Sequence, residues 1–147
     1  MIRTVLVMAV VAVGVTAVVA QGDPIAQRKD IMKQTNKYAK AVNGMVKGET
    51  PFTSETVAAA YATWDKTATQ FGKLFPDTAK EGGKTRAKAA IWQNRKDFDA
   101  KLAAFSKAVA AGKGKAGSLD GVKASMSAIN TACNDCHELY RVPAQKK

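Results

Sequence analysis

Val57, Tyr61, Trp64, Ala68, Phe71 and Phe75 follow one another at alternating steps of four and three. That spacing gathers side chains on one face of an α-helix, whose period is 3.6, and scatters them over both faces of a strand, whose period is 2. Three further stretches carry the same signature. Between Pro24 and Val46 it is written by Ile31, Met32, Thr35, Tyr38, Ala39, Val42, Met45 and Val46, with Asp23 placed to cap the helix and Pro24 suited to its first turn. Gly48 and Pro51 break that helix, and Thr53 or Ser54 can cap the next, with Glu55 in its first turn. Pro76 ends the second helix, and the segment from Asp77 to Lys84, with Gly82 and Gly83, reads as a loop. A third helix is predicted from Thr85 to about Ala111, with Ile91, Phe98, Leu102, Phe105 and Val109 on its apolar face. Gly112, Gly114 and Gly117 connect it to a fourth, capped by Ser118, whose stripe is Leu119, Val122, Met126, Ile129, Cys133, Cys136, His137 and Tyr140. Four amphipathic helices of about 20 residues with short connections predict an all-α chain folded as an antiparallel four-helix bundle. No strand-like alternation and no internal repeat competes with that reading.

The fourth stripe carries Cys133-Asn134-Asp135-Cys136-His137, the attachment pattern of a c-type haem. Thiols three positions apart suit the two vinyl groups of one porphyrin, and the adjacent imidazole then reaches the iron. A disulfide between residues so close closes a tiny loop and makes a poor staple. A structural zinc site needs four ligands, usually Cys or His, and the chain has two cysteines and one histidine. A thioredoxin-like dithiol belongs beside a βαβ pattern, which is absent from this sequence. One covalently attached haem c is the expected cofactor. Because bundles build cofactor sites from inward-pointing side chains, the motif's place on the apolar face puts that haem in the core.

The first twenty residues stand apart. Arg3 supplies a positive start, Val5 to Val19 is an apolar run broken only by Gly14 and Thr16, and Val18-Val19-Ala20 sets small residues before a cut. That is the pattern of a secretory signal peptide over residues 1–20. The run is shorter than the roughly 20 apolar residues that span a bilayer. Cleavage leaves a bundle domain over residues 21–147, a periplasmic address and no membrane attachment. Without Arg3 the 23 basic residues become 22 against 12 acidic ones. The lysines are scattered and accompany no recognition motif, so a nucleic-acid partner is not expected. The positive surface instead favours acidic redox partner proteins.

A haem motif on the last helix of a bundle resembles the class II cytochromes c, the cytochrome c′ family. The likeness covers the whole mature chain. It is carried by Arg28 to Met32, Pro51-Phe52, Ala90-Ile91-Trp92 and Cys133 to Arg141. The resemblance implies that Cys133 and Cys136 hold the porphyrin and that His137 is the proximal ligand. It also implies that Arg28 pairs with a haem propionate and that Arg141 is the basic residue on the proximal side. Each arginine has a plainer reading as well: Arg28 as a solvated surface residue, and Arg141 as a C-terminal cation offsetting the helix dipole.

With no second histidine, the sixth position at the iron falls to methionine, lysine, water or nothing. In an up-down-up-down bundle the first and fourth helices are antiparallel neighbours, which sets Met32 nearly level with His137. Met45 lies further along by roughly 20 Å at the helical rise, and Met126 shares the helix of His137. Two readings of Met32 stay open. As a thioether ligand it makes a low-spin electron carrier, since methionine and histidine ligation raises the potential. As a packing residue it leaves an open, five-coordinate iron that binds nitric oxide or carbon monoxide. No spare histidine or acidic cluster supports an enzyme. The oligomeric expectation is a monomer or a homodimer.

Overall fold

The computed structural model describes residues 22–143; the expected signal peptide lies outside the described residues. Helix α1 (Pro24–Val46) begins where Asp23 accepts the Ile25 N–H on its carboxylate at 2.9 Å, with Pro24 in the first turn, as its sequence predicts. It ends at Lys47 and Gly48, whose N–H groups donate to Asn43 and Met45. Helix α2 (Ser54–Gln70) starts after Thr53, which holds the cap position in extended backbone without a side-chain cap bond. From Phe71 to Leu74 the chain tightens into a 3₁₀ turn, so Phe71 and Phe75 stay buried although the α-helix has ended. A second such turn, Asp77–Ala79, leads into the loop. There Gly83 adopts φ +53°, and a Cβ on it would meet Ile25 Cγ2 at 2.8 Å.

The expected third helix is corrected at its start. Residues 85–89 are not helical, α3 is a short piece (Ala90–Gln93), and Asn94, at φ −125° and ψ 50°, breaks it from α4 (Arg95–Lys113). The cause lies far along the chain. Ala87 bridges antiparallel to Arg141, the Lys88 N–H donates to the Tyr140 carbonyl at 3.0 Å, and the Val142 N–H donates to the Arg86 carbonyl at 2.8 Å. These bonds hold the segment extended against the end of α5 (Leu119–Tyr140). At its other end α5 is capped as expected, with Ser118 Oγ accepting the Gly121 N–H at 3.2 Å.

Cross-helix contacts fix an antiparallel bundle. Thr35 and Thr67 share a hydroxyl bond at 2.7 Å between α1 and α2, and Trp64 donates to the Thr35 carbonyl at 3.4 Å. Between α1 and α5, Asn43 pairs with Asn130 near one end while Met32 and Cys136 join one cluster near the other. Between α4 and α5, Asp97 meets Tyr140 and Gly112 packs on Ser125. In the latter two pairs of helices the residue numbers run in opposite senses. The core divides into two clusters. One centres on Trp64, Tyr61, Val109, Met126 and Ile129; the other is aromatic, built on Phe71, Phe75, Ile91, Phe98 and Tyr140. Phe75 sits edge-on to Phe71, Trp92 and Phe98 at centroid distances of 5.1, 5.7 and 4.9 Å.

Candidate functional site

The haem motif stands where the two clusters meet. Cys133 is half-buried against the first and Cys136 against the second, one helical turn apart on α5. Neither is in a disulfide. Burial raises the pKa of both, and the neighbouring Cys133 adds to the rise at Cys136, which reaches about 11 despite Lys101 and Arg141 nearby. Both therefore stay thiols at neutral pH, unlike the low-pKa thiolates of dithiol oxidoreductases. His137 is also half-buried. Burial, then the charges of Arg141 and Arg86, depress its pKa to about 4, so its imidazole is neutral with a lone pair free for a metal.

Met32 packs against the same aromatic cluster as Cys136, whereas Met45 and Met126 are buried in the other cluster. The Asn43–Asn130 pair gives the register. Seven residues back from Asn43 is Asn36, level with His137, which is seven residues on from Asn130. Met32 lies one turn, about 6 Å, beyond that level. Met32 and His137 thus lie on neighbouring helices about one turn apart in level, with Met32 and Cys136 in one cluster.

Arg28, one turn before Met32, is only 5% exposed. The reading of it as a solvated surface residue is excluded. Its Nη2 donates to the Ala79 carbonyl at 2.7 Å, and its guanidinium lies over Phe75 at 4.5 Å and near Trp92 at 5.8 Å. Nε and Nη1 are buried without a hydrogen-bond partner. Two unpartnered nitrogens on a permanent cation are costly in a core, and an acidic group reaching either one would offset part of that cost. Arg141 is exposed and caps α5, its N–H donating to the His137 carbonyl at 3.1 Å.

Sequence reasoning missed three parts of the surroundings. Asp97 accepts the Tyr140 hydroxyl at 2.6 Å, Ala79 supplies its carbonyl to Arg28, and residues 86–88 lie along the end of the attachment helix. Only Asp97 left a local trace, as a carboxylate beside Phe98 on an apolar stripe. Two thiols at vinyl spacing, a neutral imidazole, a thioether and the orphaned guanidinium donors fit a covalently bound porphyrin with carboxylate side arms.

The family model described as cytochrome C′ matches residues 23–141. The chain belongs to the cytochrome c′ family. It is 37% identical over 145 residues to a cytochrome c-556 of Rhodopseudomonas palustris, covering 96% of this chain and 97% of that one. A cytochrome c′ of the same organism is 32% identical, over 95% and 96% of the two chains. Among solved structures, cytochrome c′ from Rhodopseudomonas palustris superposes with a TM-score of 0.79 at 32% identity, covering 85% of this chain and all of that one. The oxidised cytochrome c556 of that bacterium gives a TM-score of 0.75 at 35% identity, over 84% and 99%. The cofactor of a cytochrome c′ family chain is haem c, and the two cysteines its attachment requires are present as Cys133 and Cys136.

Proposed function

We propose that this cytochrome c′ family protein is a periplasmic one-electron carrier whose iron is held by His137 and Met32. The observation that carries the reading is the shared packing of Met32 and Cys136 on one aromatic cluster, with Met32 one turn from the level of His137. Haem bound there supplies one iron that takes up and releases a single electron. Cys133 and Cys136 would hold it as thioethers, and His137 and Met32 would supply the neutral nitrogen and the sulfur that bind its iron. The aromatic cluster keeps water away, and Arg28 offers a buried, unpartnered guanidinium donor to a propionate. Arg141 holds a positive charge on the histidine side.

Gas binding at an open iron is the second reading, and the 32% identity to a cytochrome c′ over nearly the whole chain favours it. In that reading Met32 is a steric block. No enzymatic role is proposed, since His137 is the only histidine and cannot serve both as ligand and as acid or base. The leader over residues 1–20 supports the periplasmic address, and a monomer or a homodimer suits a carrier equally.

An absorption spectrum of the reduced protein, with and without carbon monoxide, tests the proposal. Sharp, split visible bands unaffected by the gas are expected. A single broad band that shifts with carbon monoxide overturns ligation by Met32 and supports the open site.

A further inference from the structure

Leu139 and Val142 are the large apolar side chains left exposed among the described residues, at 47% and 46%. Both lie just after His137, two and five positions on, at the end of α5. Scattered exposed leucines are ordinary, but these two share one short segment, and that segment is ringed by positive charge. Arg86 reaches it with Nε and Nη2, which donate to the Val142 carbonyl at 2.8 and 2.6 Å. Lys88 Nζ donates to the Glu138 carbonyl at 2.9 Å. Arg141 stands between the two apolar residues and is exposed. Burial, then the charge of Arg86, lowers the pKa of Arg141. Glu138 and Asp135 are the carboxylates exposed on the same end of the helix. The remaining charges are positive, and two of the three cations are held in place by main-chain carbonyls.

We infer that this end of α5, with Leu139 and Val142 at its centre and Arg86, Lys88 and Arg141 around them, is the docking surface for an acidic redox protein. An apolar centre with a charged rim is the anatomy of a protein interface, in which the rim steers encounter and the centre excludes water. Charge complementarity selects the partner, because the chain carries 23 basic residues against 12 acidic ones and Arg86, Lys88 and Arg141 flank the two apolar side chains. Its position suits electron transfer: Arg141 is one hydrogen bond from the His137 carbonyl. The inference rests on the carrier reading and adds where the partner binds.

The test uses the haem-loaded protein in its ferric form and, as probe, an acidic flavodoxin reduced to its hydroquinone. One electron passes from the flavin to the ferric haem, leaving flavin semiquinone and ferrous protein, and stopped-flow absorbance gives the bimolecular rate. Leu139→Ser and Arg141→Glu should each lower that rate fivefold or more at low salt. Lys107→Glu, the same charge reversal at an exposed position on α4, should change it less than twofold. High salt should shrink the effect of Arg141→Glu and spare that of Leu139→Ser. Leu139→Ser alters no charge, so its effect survives if Arg141→Glu disturbs the end of the helix. If the wild type reacts quickly and the patch variants lose no more than Lys107→Glu, the docking surface is overturned and the carrier reading stands. If the wild type takes no electron from the probe, both fall.

Discussion

Tyr140 of α5 donates its hydroxyl to Asp97 Oδ2 of α4 at 2.6 Å, three residues past His137. This bond joins the end of the attachment helix to the aromatic cluster, where the Tyr140 ring also meets Phe98 edge-on at 5.3 Å. The carboxylate acceptor first, then burial, raises the phenol pKa from 10.0 to about 12. A folded-state pKa above the unfolded value means that the neutral phenol stabilises the fold fully below the unfolded pKa. That contribution is lost as pH rises through about 10 to about 12. Tyr140→Phe should therefore cost roughly 1.5–3 kcal/mol at neutral pH, the range for a hydrogen bond to a charged group. Its stability should also fall less steeply than that of the wild type across the alkaline window. Denaturant unfolding of both proteins at neutral and alkaline pH checks this, and equal slopes would remove Tyr140 from the account.

Met32→Ala separates the two readings of the iron. With a ligating thioether, the variant should turn a low-spin ferrous spectrum high-spin, lower the potential and admit carbon monoxide. Met45→Ala, in the other core cluster, should leave the spectrum unchanged. With an open site the wild type is already high-spin, and Met32→Ala should bind carbon monoxide faster. A spectrum and a gas-binding rate both indifferent to Met32 would mean that it does not lie over the haem.

Arg28→Leu removes a buried cation whose Nε and Nη1 have no partner in the protein. If these groups hold a propionate, the variant loses a positive charge near the iron and its reduction potential should fall, because positive charge favours the ferrous form. Voltammetry of the loaded protein reads the shift directly. An unchanged potential would leave Arg28 a packing residue under Ala79 and over Phe75.

Gly112→Ala probes the opposite end of the bundle. A Cβ there would meet the Tyr61 hydroxyl at 2.5 Å and Ser125 Cβ at 2.9 Å, so α2 and α5 must both yield. Overpacking of this kind costs about 1–3 kcal/mol. The melting temperature should drop while the visible spectrum stays as it is, since the contact lies beside the first core cluster rather than the aromatic one.

How far the fold can be read from the sequence follows from the range of the interactions. Helix α1 could be bounded because its signals are local: Asp23 and Pro24 at one end, Gly48 at the other. The residues of the haem motif could be named because their chemistry lies in five consecutive positions. The start of the third helix was misplaced because its backbone is taken by Tyr140 and Arg141, more than fifty positions away, and periodicity carries no trace of such pairing. Ile91 and Phe98 still share a face across the break at Asn94, being seven positions apart, so the stripe stayed visible while the break did not. The hydrogen-bond partner of Arg28 was missed for the same reason as the bridge. It is a loop carbonyl, Ala79, that no helical pattern announces.

The antiparallel bridge between Ala87 and Arg141 also makes two distant parts of the chain depend on one another. Residues 85–89 have no extended partner without the last turn of α5, and Asn43 has no Asn130. The two thiols and the imidazole sit on the element that closes both ends of the bundle. Whatever loosens the last turn of α5 therefore also loosens the segment before α3, and the two thiols and the imidazole share that dependence.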